Sequence, residues 1–226
     1  MRVIYHWPLD PASRQVRIAL AEKKLKFKLE LIDPWNPSPE FQALCAEAIP
    51  PAMTEPNVHG SVTLFGARAI CEYADESSAR FSFMPSTSLE RAEVRRLCDW
   101  FDTKMKDEVH AFLMYERIEK VLGNLQQAPH PPTLREGREY LQFHLKYMNW
   151  LLERRDWMAC GQFTLADICA SAHISCLDFL GEVPWQNWPR LKEWYQTVKS
   201  RPSFRPILND KIPGLRTPRH YANLDF

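Results

Sequence analysis

The hydrophobic pattern of the chain changes near residues 81–86, and this change constrains the fold more than any other feature. Before it, segments with strand-like alternation such as Phe27–Ile32 take turns with short helical patterns such as Ser13–Lys24. After it, only long amphipathic helical patterns follow. The sequence therefore predicts an α/β domain over residues 1–80, a linker over 81–86 and an all-α domain over 87–210.

The predicted α/β domain begins with a strand at Arg2–His6, and the pair Pro50-Pro51 interrupts the chain in the middle of the domain. A strand at Val62–Phe65 and a helix at Ala67–Ala79 complete it. We expect the order β-α-β-α-β-α, with a weak or missing strand near Ala52–Thr54.

Three segments of the second domain have the pattern of a capping box. In this motif a hydroxyl accepts from a free helix N–H and an acidic residue three positions later reaches back. The segments are Thr87–Glu90, Thr133–Glu136 and Thr164–Asp167. Each predicts that a helix begins at its threonine.

The charge of the chain is balanced, with 29 basic and 28 acidic residues among 226. No overall field would concentrate nucleic acid or an anionic membrane on it, so a partner must be recognised locally. Met1–Ile4 lacks the features of a signal peptide, and no stretch approaches the ~18 apolar residues that span a bilayer. We expect a cytoplasmic protein without membrane insertion.

The sequence predicts no metal site. None of the six cysteines forms a C-x-x-C pair, and Cys169 and Cys176 share a predicted helix face where apolar packing is the favoured role. His110, His144 and His173 are interpreted as core or surface residues.

Three segments resemble the glutathione transferases over nearly the whole chain. Leu9–Leu20 looks like the turn into the first helix of these enzymes, and Pro50-Pro51 looks like their cis-proline loop. Phe163–Asp167 matches the buried capping box of their helical domain. The resemblance implies a thioredoxin-like N-terminal domain followed by a helical-bundle C-terminal domain.

The resemblance also implies where the thiol of glutathione would be activated, and the expected donor is missing there. Family members use a tyrosine, serine or cysteine near the end of the first strand to stabilise the thiolate. The matching positions carry His6 for the tyrosine and Asp10 for the serine. An ionised Asp10 would oppose thiolate formation, so we predict that it caps the following helix. Ser13 is an alternative donor, although its helical phase turns it away.

The family binds the γ-glutamyl group of glutathione with a Glu/Gln-Ser pair before an Arg-Ala-Ile segment. This chain has Gly66-Ala67 in place of that pair. Each missing charge-assisted hydrogen bond could cost about 1.5–3 kcal/mol, so we expect no glutathione cofactor. Backbone groups beside Pro51 and after Gly66 could still hold an anion weakly.

Two other segments are candidate contacts for a partner. Trp35 lies in a loop bracketed by prolines, where it either projects as a binding residue or folds back over its own domain. The tail over 211–226 either lies as a strand of chain on the helical domain or serves as a recognition motif. Its candidate contacts are His220, Tyr221, Leu224, Asp225 and Phe226.

The tail and the segments His6–Leu9, Arg91–Leu97 and Ser175–Asp178 are similar to division-associated members of the family in alphaproteobacteria. The resemblance implies a homodimer that binds the tubulin-like protein FtsZ at the division site and bridges or curves its filaments. The alternative is a glutathione-dependent transferase or isomerase that activates the thiol through Ser13 or His6. A structural dimer with another client is a third reading, because one fold hosts unrelated roles.

Overall fold

The computed structural model describes residues 1–226, and the chain divides into two compact units. The first unit comprises residues 1–82 together with 202–212. The second comprises residues 83–201 together with 213–226.

The first unit is built from strands and short helices, as its sequence pattern predicts, but two of its strands follow each other without a helix between them. Its elements are β1 (Arg2–His6), α1 (Pro11–Glu22), β2 (Phe27–Leu31), α2 (Pro39–Leu44), β3 (Ala52–Asn57), β4 (Gly60–Phe65) and α3 (Ala67–Glu76), with a short helix at Arg205–Leu208. The sheet order is β2-β1-β3-β4. β1 pairs in parallel with β2 and antiparallel with β3, and β3 pairs antiparallel with β4.

The strand expected to be weak or missing near Ala52–Thr54 is a full strand with neighbours on both sides. Met53 lies opposite Ile4 of β1 and Leu64 of β4, and Ala52 and Met53 are fully buried. The pairing on both edges satisfies the backbone groups of this short segment, and local alternation alone did not signal it.

The second unit is helical. Its elements are α4 (Ser88–Asp99), a π-helix at Trp100–His110, α5 (Ala111–Met114), a π-helix at Tyr115–Glu119, α6 (Lys120–Leu122), α7 (Pro131–Leu152), α8 (Leu165–Phe179), a 3₁₀ turn at Trp185–Asn187 and α9 (Pro189–Ser200). Every residue of α8 is buried, and so are the apolar residues Leu141, Leu145, Met148 and Leu152 of α7. No helix combines the length and the apolar character that crossing a membrane would require.

Two of the three predicted helix starts are confirmed. α4 follows Thr87, whose hydroxyl oxygen accepts from the backbone N–H of Glu90 at 3.3 Å. α8 follows Thr164, whose backbone N–H donates to the Asp167 carboxylate at 2.9 Å, so the capping box is complete.

The start predicted at Thr133 is wrong. α7 begins at Pro131, and the hydroxyl of Thr133 lies inside the first turn, 2.9 Å from Nδ1 of His130. Proline presets the helical φ and needs no N–H partner at the first positions of a helix, so the two prolines start the helix before the threonine.

Candidate functional site

The turn between β1 and α1 contains the positions that the family resemblance assigns to thiol activation. Both carboxylate oxygens of Asp10 accept backbone hydrogens at the start of α1, from Ala12 at 3.3 Å and from Ser13 at 2.7 Å. The predicted capping role of Asp10 is therefore confirmed. The Ser13 hydroxyl oxygen is fully buried and accepts from the backbone N–H of Trp7 at 3.2 Å.

His6, at the end of β1, is buried beside a cluster of charged side chains. Burial, as the larger cause, and the positive charge of Arg17 together lower the pKa of His6 to about 4, while the negative charge of Asp210 opposes the shift. The guanidinium of Arg17 donates two hydrogen bonds to the Asp210 carboxylate, at 2.8 and 2.9 Å. His6 is therefore a neutral imidazole at neutral pH.

The loop before β3 has the backbone form that the family resemblance implies. The Pro50-Pro51 peptide bond is cis, and the carbonyl of Pro51 accepts from the N–H of Gly66 at 3.3 Å. Gly66 has a φ of +82°, which favours glycine, and α3 begins at Ala67 without a side-chain cap. The side chains of Gly66 and Ala67 carry neither a hydroxyl nor a carboxylate.

Trp35 is half-buried and packs edge-on against Trp7, with ring centroids 5.2 Å apart. Its loop is stiffened by Asp33, whose carboxylate accepts from the Trp35 backbone N–H at 2.9 Å. One edge of Trp35 therefore packs on its own unit while the rest stays accessible, and its role as a binding residue stays a prediction.

The C-terminal tail is anchored in the second unit by Tyr221. This side chain is 1% exposed, and its ring meets that of Phe179 on α8 at 5.2 Å. Phe226 packs against Trp185 at 5.0 Å, and its backbone carbonyl accepts from the side-chain amide of Gln196 at 3.2 Å. The tail therefore packs along the helical unit in a non-helical path.

A buried lysine on α9 holds the tail. Nζ of Lys199 donates to the backbone carbonyl of Asn223 at 2.8 Å and lies 4.1 Å from the Phe226 ring centroid. The rings of Tyr195 and Tyr221 are 5.4 and 5.9 Å from the same ammonium. The tail thus completes a cage of aromatic faces around a cation, an arrangement that the ring quadrupoles favour.

Asp178 on α8 joins the lysine to the rest of the tail. Its carboxylate accepts from Nε1 of Trp185 at 2.8 Å and lies 2.8 Å from Nε2 of His220 and 3.9 Å from Nζ of Lys199. Burial lowers the pKa of Lys199 to about 8, and the charge of Asp178 opposes that shift.

The predicted contact residues of the tail differ in their exposure to solvent. Tyr221 is buried, His220, Leu224 and Phe226 are half-buried, and Asp225 is exposed. A partner that approaches the docked tail therefore meets the Asp225 carboxylate and the edges of its neighbours, whereas Tyr221 is an anchor.

The sequence analysis missed Lys199. The sequence does contain a signal for it, because Lys199 lies four residues after Tyr195 and one after Val198 in an apolar helical segment. All three side chains are buried. A buried lysine needs a partner, and here the partners are tail carbonyls and Asp178.

A second accessible surface on the helical unit consists of four aromatic residues, which we call the aromatic face: Trp100, Phe143, Tyr147 and Trp150. Trp100 stacks with Phe143 at 6.1 Å and meets Tyr147 at 4.7 Å, and Tyr147 stacks with Trp150 at 6.1 Å. Phe143 is 53% exposed and Trp150 is 47% exposed. Exposed apolar patches of this kind mark interaction sites.

Comparison with known proteins places these features in a family. A model described as the glutathione S-transferase N-terminal domain matches residues 11–77, and one described as the C-terminal domain matches residues 111–202. FtsZ-localized protein A of Caulobacter vibrioides is 44% identical over 225 residues, which cover 100% of this chain and 98% of the relative. The chain belongs to the glutathione S-transferase family.

Solved structures agree with this assignment. FzlA from C. crescentus has a TM-score of 0.97 and 44% identity, over 100% of this chain and 99% of that one. A glutathione S-transferase from Rhodospirillum rubrum F11 has a TM-score of 0.92 and 43% identity, over 100% of both chains. The predicted glutathione transferase fold, with its thioredoxin-like and helical parts, is confirmed.

Proposed function

We propose that this glutathione transferase homologue is a non-catalytic division factor that associates with FtsZ at the division site. The observation that carries the proposal is the full-length similarity to FtsZ-localized protein A, together with a tail that is presented in one defined conformation. A pre-organised tail favours binding because less conformational entropy is lost when a partner binds.

The state of the thiol-activating positions supports a role without glutathione chemistry. Asp10 is committed to capping α1, and Ser13 accepts from Trp7 inside the turn. His6 carries no hydroxyl or thiol, and its imidazole is buried at the end of β1. We therefore expect neither a glutathione cofactor nor transferase activity.

Two surfaces are the proposed contacts with FtsZ. On the first unit, Trp35 offers a rigid aromatic edge, a common anchor of protein interfaces. On the second unit, the docked tail offers Asp225 with the accessible parts of His220, Leu224 and Phe226.

The aromatic face supports the homodimer that the proposal includes. Phe143, Tyr147 and Trp150 lie at i, i+4 and i+7 on α7, so a single straight helix face presents them to a second copy. A dimer carries two FtsZ-binding surfaces, and linked sites raise the effective concentration of the second contact. This geometry would let one dimer bridge or curve filaments.

Co-sedimentation with FtsZ polymerised by GTP tests the proposal. Asp225→Ala is the tail variant, because Asp225 is exposed and its removal leaves the buried Tyr221 anchor in place. Asp156→Ala is the matched control, since that carboxylate is 91% exposed elsewhere on the same unit. We expect wild type and the control to pellet with filaments, and Asp225→Ala to bind about tenfold more weakly.

Trp35→Ala tests the second contact in the same assay, and it should also weaken pelleting. Failure of wild type to pellet would contradict the proposed function. Equal binding by wild type, Asp225→Ala, Trp35→Ala and the control Asp156→Ala would contradict the proposed contacts. Titration calorimetry with glutathione completes the test, because measurable binding would favour the enzymatic alternative.

Light scattering after size exclusion tests the dimer. Phe143→Glu places a charge on the aromatic face and should yield a monomer, whereas Leu125→Glu changes an exposed leucine in the loop before α7 and should not. A dimer that survives Phe143→Glu would assign the contact to another surface.

A further inference from the structure

A group of three potential metal ligands lies between the π-helix at Trp100–His110 and α8. The atoms are a carboxylate oxygen of Asp102, Sγ of Cys169 and Nε2 of His173, all within 4.8 Å of one another. Oδ1 of Asp102 is 3.0 Å from Nε2 of His173 and 3.3 Å from Sγ of Cys169. One oxygen therefore faces both the sulfur and the nitrogen.

The backbone places these atoms in a chelating arrangement. Cys169 and His173 are four residues apart on α8, so their side chains project from the same face one turn apart. Asp102 lies in the π-helix. A π-helix changes which residues face a neighbouring helix, and π-helical turns are frequent at functional sites. Two ligands from one helix and one from the next are enough for a three-residue site.

The second ring nitrogen of His173 has the partner that a metal-binding histidine needs. Nδ1 of His173 is 3.2 Å from Nε2 of His110, and Nδ1 of His110 contacts Sδ of Met114. A thioether can only accept, so the proton of a neutral His110 lies on Nδ1 and its Nε2 is an acceptor. His173 then donates from Nδ1, which leaves the lone pair of its Nε2 directed at Asp102 and Cys169.

We propose that Asp102, Cys169 and His173 form a binding site for a divalent cation of the zinc class. A lone pair on nitrogen and a carboxylate oxygen 3.0 Å apart need a proton or a cation between them. The adjacent thiol favours a cation that accepts sulfur, nitrogen and oxygen together. Tetrahedral zinc keeps such ligand atoms about 3.3–3.6 Å apart. The Asp102 oxygen is already close to these separations, at 3.0 Å from the nitrogen and 3.3 Å from the sulfur, and the sulfur and the nitrogen lie within 4.8 Å of each other.

The site has one accessible side. The Asp102 side chain is 28% exposed, while those of His173 and Cys169 are 3% and 0% exposed. An ion enters past Asp102, and a water molecule can complete its coordination there. Bound in this way, the ion ties α8 to the helical run that contains the π-helix.

Cobalt substitution tests the proposal on the full-length chain. Chelator-treated protein is titrated with Co²⁺ in the presence of a reductant that is not a thiol, and absorption spectra are recorded. We expect one ion per chain, with the visible bands of tetrahedral cobalt and a near-ultraviolet band from sulfur-to-cobalt charge transfer. Added Zn²⁺ should abolish both features by displacement.

Two variants and one control decide the ligands. Cys169→Ser should lose the charge-transfer band, whereas Cys176→Ser, an equally buried position on the same helix, should keep it. Asp102→Asn should disturb the fold least, because the Asp102 side chain is partly exposed and asparagine has nearly the same shape. This variant should weaken cobalt binding at least tenfold. Zn²⁺ should raise the melting temperature of wild type but not of Asp102→Asn.

Three results would overturn the proposal. The first is wild type without the charge-transfer band, which would mean a hydrogen-bonded cluster that holds no ion. The second is a band that persists in Cys169→Ser, and the third is a band lost equally in Cys176→Ser. The outcome does not depend on FtsZ binding, since no filament is present in the assay.

Discussion

Replacing Lys199 by methionine should release the tail from the helical unit. Methionine keeps most of the apolar length of the side chain but removes the ammonium that donates to the Asn223 carbonyl at 2.8 Å and lies 4.1 Å from the Phe226 ring. A hydrogen bond from a charged donor contributes about 2 kcal/mol and a buried cation–π contact about 1 kcal/mol. The 3.4 Å contact with the His220 carbonyl adds little.

The total of about 3 kcal/mol corresponds to a roughly 100-fold increase in the opening equilibrium of the tail. Hydrogen exchange measures this equilibrium directly. The N–H groups of Tyr221 and Asn223 donate to the carbonyls of Pro218 and His220, at 3.1 and 3.0 Å, and they report on the tail turn. In Lys199→Met both should exchange about 100-fold faster.

Lys192→Met is the matched control. Lys192 is on the same helix and lies 5.2 Å from the same Phe226 ring, but it is only half-buried. An exposed cation–π contact contributes ~0.5–1 kcal/mol, so exchange should change less than about fivefold. Equal acceleration in both variants, or no acceleration in Lys199→Met, would refute the view that the buried ammonium anchors the tail.

Two further predictions concern protonation and helix caps. Folding lowers the pKa of His6 from 6.5 to about 4, so the contribution of the neutral ring to the stability of the fold should be lost as the pH falls from 6.5 towards 4. NMR titration of the ring should give a pKa near 4. A pKa near 6.5 would contradict the burial argument. Thr164→Ala should lower the free energy of unfolding in urea by about 2 kcal/mol, and Thr87→Ala by at most about 1 kcal/mol, because the cap at Thr164 is buried and the cap at Thr87 is exposed. Equal losses in the two variants would contradict this reasoning.

Much of the fold follows from local sequence patterns. Strand alternation, helical periodicity and the two confirmed capping boxes depend on residues a few positions apart, and the capping role of Asp10 follows from its place directly before Pro11. The start of α7 was mispredicted for an equally local reason, because two prolines begin a helix before the threonine that resembles a cap.

The candidate sites depend on contacts that no local pattern encodes. Lys199 meets the carbonyl of Asn223, 24 positions later, and Cys169 meets Asp102, 67 positions earlier. His173 was interpreted as a core or surface histidine because its sequence neighbours offered no ligand set, although the structure brings its ring within 4.8 Å of Sγ of Cys169 and a carboxylate oxygen of Asp102.

The sequence by itself determined most of the order of elements, the helix cap at Asp10 and the absence of a hydroxyl and a carboxylate at Gly66-Ala67, since these depend on residue type and short spacing. Only the tertiary structure decided that Tyr221 is an anchor while Asp225 faces solvent, and that the tail closes an aromatic cage around a buried ammonium. The physical reason is that burial and cation placement arise when distant segments pack together and exclude water.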